Sequence, residues 1–211
     1  MLDLTAEAAK IFRITHIDNV PWILQNGLHS SSSTCIDPNF RAIGNVDLIA
    51  KRATVRITVP PRGSLCDYIP FYFTPHSPML LNIKTGRSVP QVPMSEIAIL
   101  TSTLHRVHQQ GIRFVFTDRH AYVVNRMFSN DLDGLANIDW RILRKRDFKR
   151  DPDDPGKLER YMAEALIHGH LPITAVECVA CQLLAQEAQL KAVANSLRVP
   201  ISIITRPDWY F

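Results

Sequence analysis

The apolar residues of this chain come in short runs of strand character, and that spacing most constrains the fold. Residues 11–17 (IFRITHI), 69–75 (IPFYFTP), 96–102 (EIAILTS), 114–117 (FVFT), 174–181 (TAVECVAC) and 199–205 (VPISIIT) are rich in β-branched and aromatic side chains. The spacing predicts a further short strand within 55–59. Helical segments fall between them irregularly. A helix is expected over 5–10 with Thr5 as cap, and another after Asp18 or Asn19, with Pro21 in its first turn and Gly27 closing it. Others are expected over 103–110, over 121–127 led in by His120, and over 182–197. Residues 79–83 read as helix or strand, and 158–168 as a helix that can pass into a strand. This order lacks the strict alternation of a doubly wound sheet and predicts an α+β fold. With 211 residues, 46% of them hydrophobic, one domain over 1–211 can bury a core.

Residues 29–38 are Ser-rich and read as a loop, and 39–64 as irregular and basic. The polar, Pro- and Gly-containing stretch 130–155 reads as a long excursion over the surface, a feature that in a compact domain usually accompanies function. No apolar run approaches the roughly 18 residues that cross a membrane. The acids near the N-terminus are unlike a secretory signal, and the expectation is a cytoplasmic protein with reduced thiols.

The formal charge is +4, unevenly spread. Residues 41–62 hold five Lys/Arg against one acid, and 141–160 hold eight against five. These stretches can form a groove for a phosphate backbone or two solvated loops; charge alone leaves both open. The glycine pattern contains neither GxGxxG nor GxxxxGK[ST], and HExxH and GxSxG are missing, so the common dinucleotide, P-loop, zinc-protease and serine-hydrolase signatures are excluded. Cys178 and Cys181 form a CxxC without a second pair, which reads as buried small residues, and no metal is expected.

The candidate functional residues lie at strand ends and in apolar runs. Glu164 sits in YMAEALI, where a lone carboxylate is either paired with a cation or functional. His16 ends the first strand, Tyr72 lies in PFYFTP, Arg52 in the first basic stretch, and His120 follows FTDR.

Taken in order, ITHIDNVPWILQNGL, IGNVDLIAKR, DYIPFYFTPHSPML, RFVFTDRHAY and YMAEALIHGHLP resemble the DarT-type DNA ADP-ribosyltransferases. The resemblance runs from Phe12 to Arg206. It implies an ADP-ribosyltransferase-like fold, with two small split antiparallel sheets around an NAD cleft. It also implies transfer of ADP-ribose from NAD⁺, used as co-substrate without a metal, to a base of single-stranded DNA, commonly thymine. The family is the toxin half of a toxin–antitoxin pair whose partner, a DarG-type macrodomain protein, removes the mark; a monomer without membrane attachment is expected. The family's catalytic glutamate falls on Glu164 and its key arginine on Arg52 or, one residue earlier, Lys51. Thr15, His16 and Ile17 form the NAD-holding strand end. Tyr72, Met79 and His120 would contact substrate. His76 stands where the family's PxSPM piece carries Arg, and bears on a DNA contact or base preference.

In that chemistry Glu164 would stabilise the positive charge left on ribose, and Arg52 would bind the diphosphate or a developing base anion. Glu164 or His120 would take the proton of the acceptor base. The 141–160 excursion would guide phosphates, and Tyr122 or Trp140 would stack bases. Other acceptors (guanine, RNA, a protein side chain), a catalytically dead nucleic-acid-binding module and a metal-dependent nuclease are the competing readings.

Overall fold

The computed structural model describes residues 2–211. Twelve strands form β1 (Lys10–His16), β2 (Leu28–His29), β3 (Arg56–Ile57), β4 (Gly63–Ser64), β5 (Tyr68–Tyr72), β6 (Ile97–Thr103), β7 (Phe114–Thr117), β8 (Phe128–Ser129), β9 (Glu164–His168), β10 (His170–Leu171), β11 (Cys178–Cys181) and β12 (Ser202–Thr205). Seven α-helices accompany them: α1 (Val20–Asn26), α2 (Val46–Arg52), α3 (Pro78–Thr85), α4 (Leu104–Gln109), α5 (Trp140–Lys145), α6 (Lys157–Tyr161) and α7 (Leu184–Ser196).

Eight strands form one sheet in the order β12-β11-β6-β1-β5-β9-β7-β8. Its middle is nearly cut. β1 pairs with β6 along its whole length, from Lys10 opposite Thr103 to His16 opposite Ile97, but meets β5 only where Phe12 faces Tyr72. The sheet is therefore two four-stranded halves, the split arrangement the family resemblance implies. All neighbours are antiparallel except β11 and β12, which run parallel. Two-stranded ribbons, β10 with β2 and β3 with β4, stand apart.

β6 is buried along nearly its whole length. Residues 97–102 have no more than a few per cent of their surface exposed, as a strand covered on both faces must. α1 packs against α7, and α7 against β12. Cys181 is fully buried here and its thiol is pushed up to about 11 by desolvation, in keeping with a small apolar residue. At the end of α1, Gly27 has a φ of 75° and a Cβ there would lie 2.5 Å from the Leu171 carbonyl, so the turn into β2 requires glycine.

Three local expectations fail for identifiable reasons. Residues 5–10 make one turn instead of a helix: Ala9 N–H donates to Thr5 O at 2.9 Å and Ala9 then takes a positive φ of 41°, entering β1. The basic stretch contains an unanticipated helix, α2, because Asn45 caps it by accepting from Leu48 N–H at 2.9 Å. Residues 121–127 form turns rather than a helix. There the Asp118 carboxylate accepts the Met127 N–H at 2.8 Å, a donor that a helix would direct to Val123 O, while the Glu164 carboxylate accepts the Ala121 N–H at 3.0 Å. In the 130–155 excursion Trp140 folds back on the core. Its indole N–H donates to Leu135 O at 2.9 Å and its ring meets Phe73 edge-on, so it offers no stacking surface.

Candidate active site

The register of β5 against β9 sets Tyr72 directly opposite Glu164, at the edge of the split. Opposite residues project to the same face of a sheet, so phenol and carboxylate share one surroundings. Burial, reinforced by the Glu164 charge, pushes the Tyr72 hydroxyl far above its usual range, and it stays a neutral phenol.

Glu164 is 2% exposed and is held from two sides. Its Oε2 accepts from Arg52 Nη1 at 2.9 Å, and its Oε1 from Ala121 N–H at 3.0 Å. The backbone N–H of Glu164 donates to Thr117 Oγ1 at 3.1 Å. Arg52 arrives from the last turn of α2, where a cation suits the helix C-terminus. Its other terminal nitrogen, Nη2, is buried without a partner. Of the two adjacent cations, Arg52 pairs with Glu164 and Lys51 faces another cavity.

His120 Nε2 lies 3.9 Å from Glu164 Oε1. Burial lowers its pKa, with the Arg52 charge acting the same way, and Glu164 opposes the shift only in part. The shift favours the neutral ring. Its Nδ1 accepts from Tyr122 N–H at 3.3 Å, which leaves the proton of the neutral ring on Nε2, facing Glu164.

The pair lies in the wall of a cleft of about 430 Å³ that opens along the split. Arg13, Thr15, Tyr72 and Met79 line it, with Trp22 and Phe40 among its aromatic walls. A second cavity of about 770 Å³ adjoins it, and Tyr72, Met79 and Leu48 border both. Lys51, Arg87, Lys149 and Arg150 surround this second cavity together with Tyr122 and Phe148. α2 is the partition, carrying Arg52 on one side and Lys51 on the other.

Three sequence-predicted side chains lie elsewhere. Of the strand-end trio, Thr15 lines the cleft, but His16 and Ile17 do not. His16 accepts from Asp18 N–H at 3.1 Å through Nδ1 and meets Glu96 Oε2 at 3.1 Å through Nε2, so both ring nitrogens are spent bracing the strand end. Ile17 packs against the core. His76 is 2% exposed, with Nε2 2.9 Å from Asp208 O and its ring against Phe211, and it packs as a core group. Sequence reasoning missed Arg13, although an arginine inside IFRITH was a visible signal. It also missed Lys149 and Arg150 as distinct from their neighbours, because ion pairing inside 141–160 leaves no trace in composition.

Known proteins share this architecture. Residues 12–211 match the family described as ssDNA thymidine ADP-ribosyltransferase, DarT. A DNA ADP-ribosyl transferase of Escherichia coli O127:H6 is 47% identical over 209 residues, 99% of this chain and 96% of that protein. Thermus sp. 2.9 DarT in complex with ADP-ribosylated ssDNA superposes with a TM-score of 0.90 at 30% identity, covering all of both chains. The same protein in complex with NAD⁺ gives 0.85, at 30% identity over 97% of this chain and 98% of that one. Fold and relatives together define the class, a DNA ADP-ribosyltransferase, an enzyme of the glycosyl-transferring kind. Within that class the chain belongs to the DarT family.

Proposed function

We propose that this enzyme transfers ADP-ribose from NAD⁺ to thymine in single-stranded DNA, releases nicotinamide, and acts as the toxin of a toxin–antitoxin pair. The observation that carries the reading is the buried Arg52–Glu164 pair in the wall of a cleft that adjoins a basic, aromatic-lined cavity. The cleft's residues suit a dinucleotide. The unpartnered Nη2 of Arg52 needs an acceptor, which a substrate oxygen at the reacting end supplies, and Trp22 and Phe40 offer flat apolar walls.

Each residue's part follows from its surroundings. The nicotinamide–ribose bond breaks with its electron pair leaving on nicotinamide, and positive charge develops on the ribose. Glu164, withdrawn from water and fixed by Arg52 and Ala121 N–H, presents a carboxylate to that charge without reorganising. The acceptor base must lose its ring N–H proton as the new bond forms. We assign the proton to Glu164, because the Tyr122 N–H contact to Nδ1 favours the neutral His120 ring with its proton on Nε2. Arg52 stays charged and stabilises negative charge on the base. Tyr72, opposite Glu164, bounds the reacting centre on both cavity sides.

The DNA strand runs through the larger cavity, its phosphates met by Lys51, Arg87, Lys149 and Arg150, with Tyr122 as the stacking surface. An unstacked base reaches Glu164 more readily from a single strand than from a duplex. No helix among the described residues is long and apolar enough to cross a membrane. The reading assigns the enzyme to the cytoplasm as a monomer, with a macrodomain antitoxin that removes the modification.

The test is mass spectrometry of short single-stranded oligonucleotides incubated with NAD⁺ and either wild-type protein or Glu164→Ala. The expected result is an ADP-ribose adduct on thymine-containing strands alone, reduced about 100- to 1000-fold in the variant. An adduct confined to guanine-containing strands overturns the thymine assignment. Untouched NAD⁺ with every strand overturns the transferase reading.

A further inference from the structure

Arg13 is a cation that the chemistry above does not use. It stands on β1 immediately beyond the one point where β1 and β5 pair, and it lines the cleft beside that seam. Its Nη1 donates to Pro70 O at 2.9 Å. Its Nε is buried with no partner at all. The guanidinium thus has a carbonyl where a buried arginine ordinarily has a carboxylate, and the nearest strong charge acting on it is another cation, Arg52. Burial and that repulsion lower its pKa to about 10, still well above neutrality. A charge kept partly out of water, repelled by its neighbour and left with a free N–H, is stabilised most by an anion.

The cleft decides which anion. Arg13 and Arg52 line the same cavity, and Arg52 is already committed through Nη1 to Glu164. The other acid on the lining, Asp37, belongs to the outer loop and accepts from Asn39 N–H at 2.8 Å. We propose that Arg13 is the principal diphosphate-binding residue of the cleft, leaving Arg52 to orient Glu164. This division of labour rests on the NAD⁺ reading of the cleft and refines it: of the two guanidiniums, the unpaired one holds the substrate's phosphates and the paired one serves the reacting end.

The experiment is calorimetric titration of wild type, Arg13→Gln and Arg13→Lys with ADP-ribose and with adenosine, which lacks phosphate, followed by steady-state kinetics with NAD⁺. Arg13→Gln is expected to weaken ADP-ribose on the order of 10- to 100-fold, the range for a hydrogen bond to a charged group. Adenosine affinity should not change, and KM should rise while kcat stays within about threefold. Arg13→Lys keeps the charge but not the fork, and should lose less. Equal losses for both ligands, or none, overturn the assignment and leave Arg13 as a strut to Pro70. If Arg13→Gln does not fold, the same comparison of the two ligands on Arg13→Lys decides. A wild-type protein that binds neither NAD⁺ nor ADP-ribose overturns the transferase reading itself, a different outcome from wild-type binding that survives the loss of Arg13.

Discussion

Residues 41–62 and 141–160 are both rich in Lys and Arg, yet they spend their charge differently. In the first, α2 turns two adjacent cations to opposite sides, so that Arg52 reaches Glu164 in the cleft and Lys51 borders the larger cavity. In the second, part of the charge is taken up by other groups of the protein. Lys157 bridges Asp147 and Asp151 at 3.1 and 3.2 Å, Arg160 holds Asp154 and Asp139, and Arg144 caps Leu4 O. Lys149 and Arg150, exposed between these pairs, face the cavity. A basic count thus measures the charge a segment owns, whereas the ion pairs determine what it can offer a polyanion.

The sharpest test of that contrast exchanges the neighbours on α2. Arg52→Lys removes the guanidinium that holds Glu164 through Nη1 and keeps Nη2 free for the substrate, and turnover in an NAD⁺ consumption assay should fall on the order of 100-fold. Lys51→Arg should leave turnover nearly unchanged. Comparable losses in both would abolish the distinction between the two faces of the helix.

A smaller effect separates the two kinds of cation within 141–160. Replacing Lys149 and Arg150 together by Gln should flatten the salt dependence of single-stranded DNA binding by about 1.4 in log–log slope, at roughly 0.7 per phosphate contact. Lys157→Gln should leave that slope alone and lower the melting temperature, because it frees Asp147 and Asp151 from their shared partner. Fluorescence titrations at several salt concentrations beside a thermal melt give both readings, and a slope change in Lys157→Gln would contradict the division.

The smallest effect concerns pH. The pKa of His120 is lowered on folding, so the unfolded chain binds the proton more readily. Its contribution to stability is therefore complete above about 6.5 and is lost as the pH falls from there toward the folded value. Melting temperatures between pH 7.5 and 5.5 should decline, and less steeply in His120→Gln. His76 and His168, also lowered by burial, maintain part of the decline in that variant. A variant with an unaltered slope would remove His120 from the account.

The strands of this fold were readable because their signal is local: IFRITHI and FVFT fall within a residue or so of β1 and β7. Glu164 was legible for a related reason, since a carboxylate in an apolar run needs a partner wherever it lies. Its partner was another matter. Residues 52 and 164 are 112 positions apart, and nothing in either segment favours Arg52 over Lys51 until α2 is in place. In place of the helix expected over 121–127, Asp118 takes the Met127 N–H that a helix would direct to Val123 O, a competition that local propensity does not contain. His76 meets a backbone carbonyl 132 residues away and His16 meets Glu96, partners that no local pattern announces.

The single pairing of Phe12 with Tyr72 has a mechanical consequence. The other seams of the large sheet are stitched by at least two register pairs, and this one by a single pair and the strut from Arg13 to Pro70. The cleft lies along that seam, with Arg13 and Thr15 on one bank and Tyr72 and Glu164 on the other. A ligand touching both banks acts as a cross-brace, joining two bodies that the backbone barely joins. Its binding energy then stiffens the whole sheet, by about 2.7 kcal/mol at a hundredfold excess over Kd. Amide exchange should accordingly slow in β5 and β9, on the far bank from Arg13, as well as in the loops at the mouth.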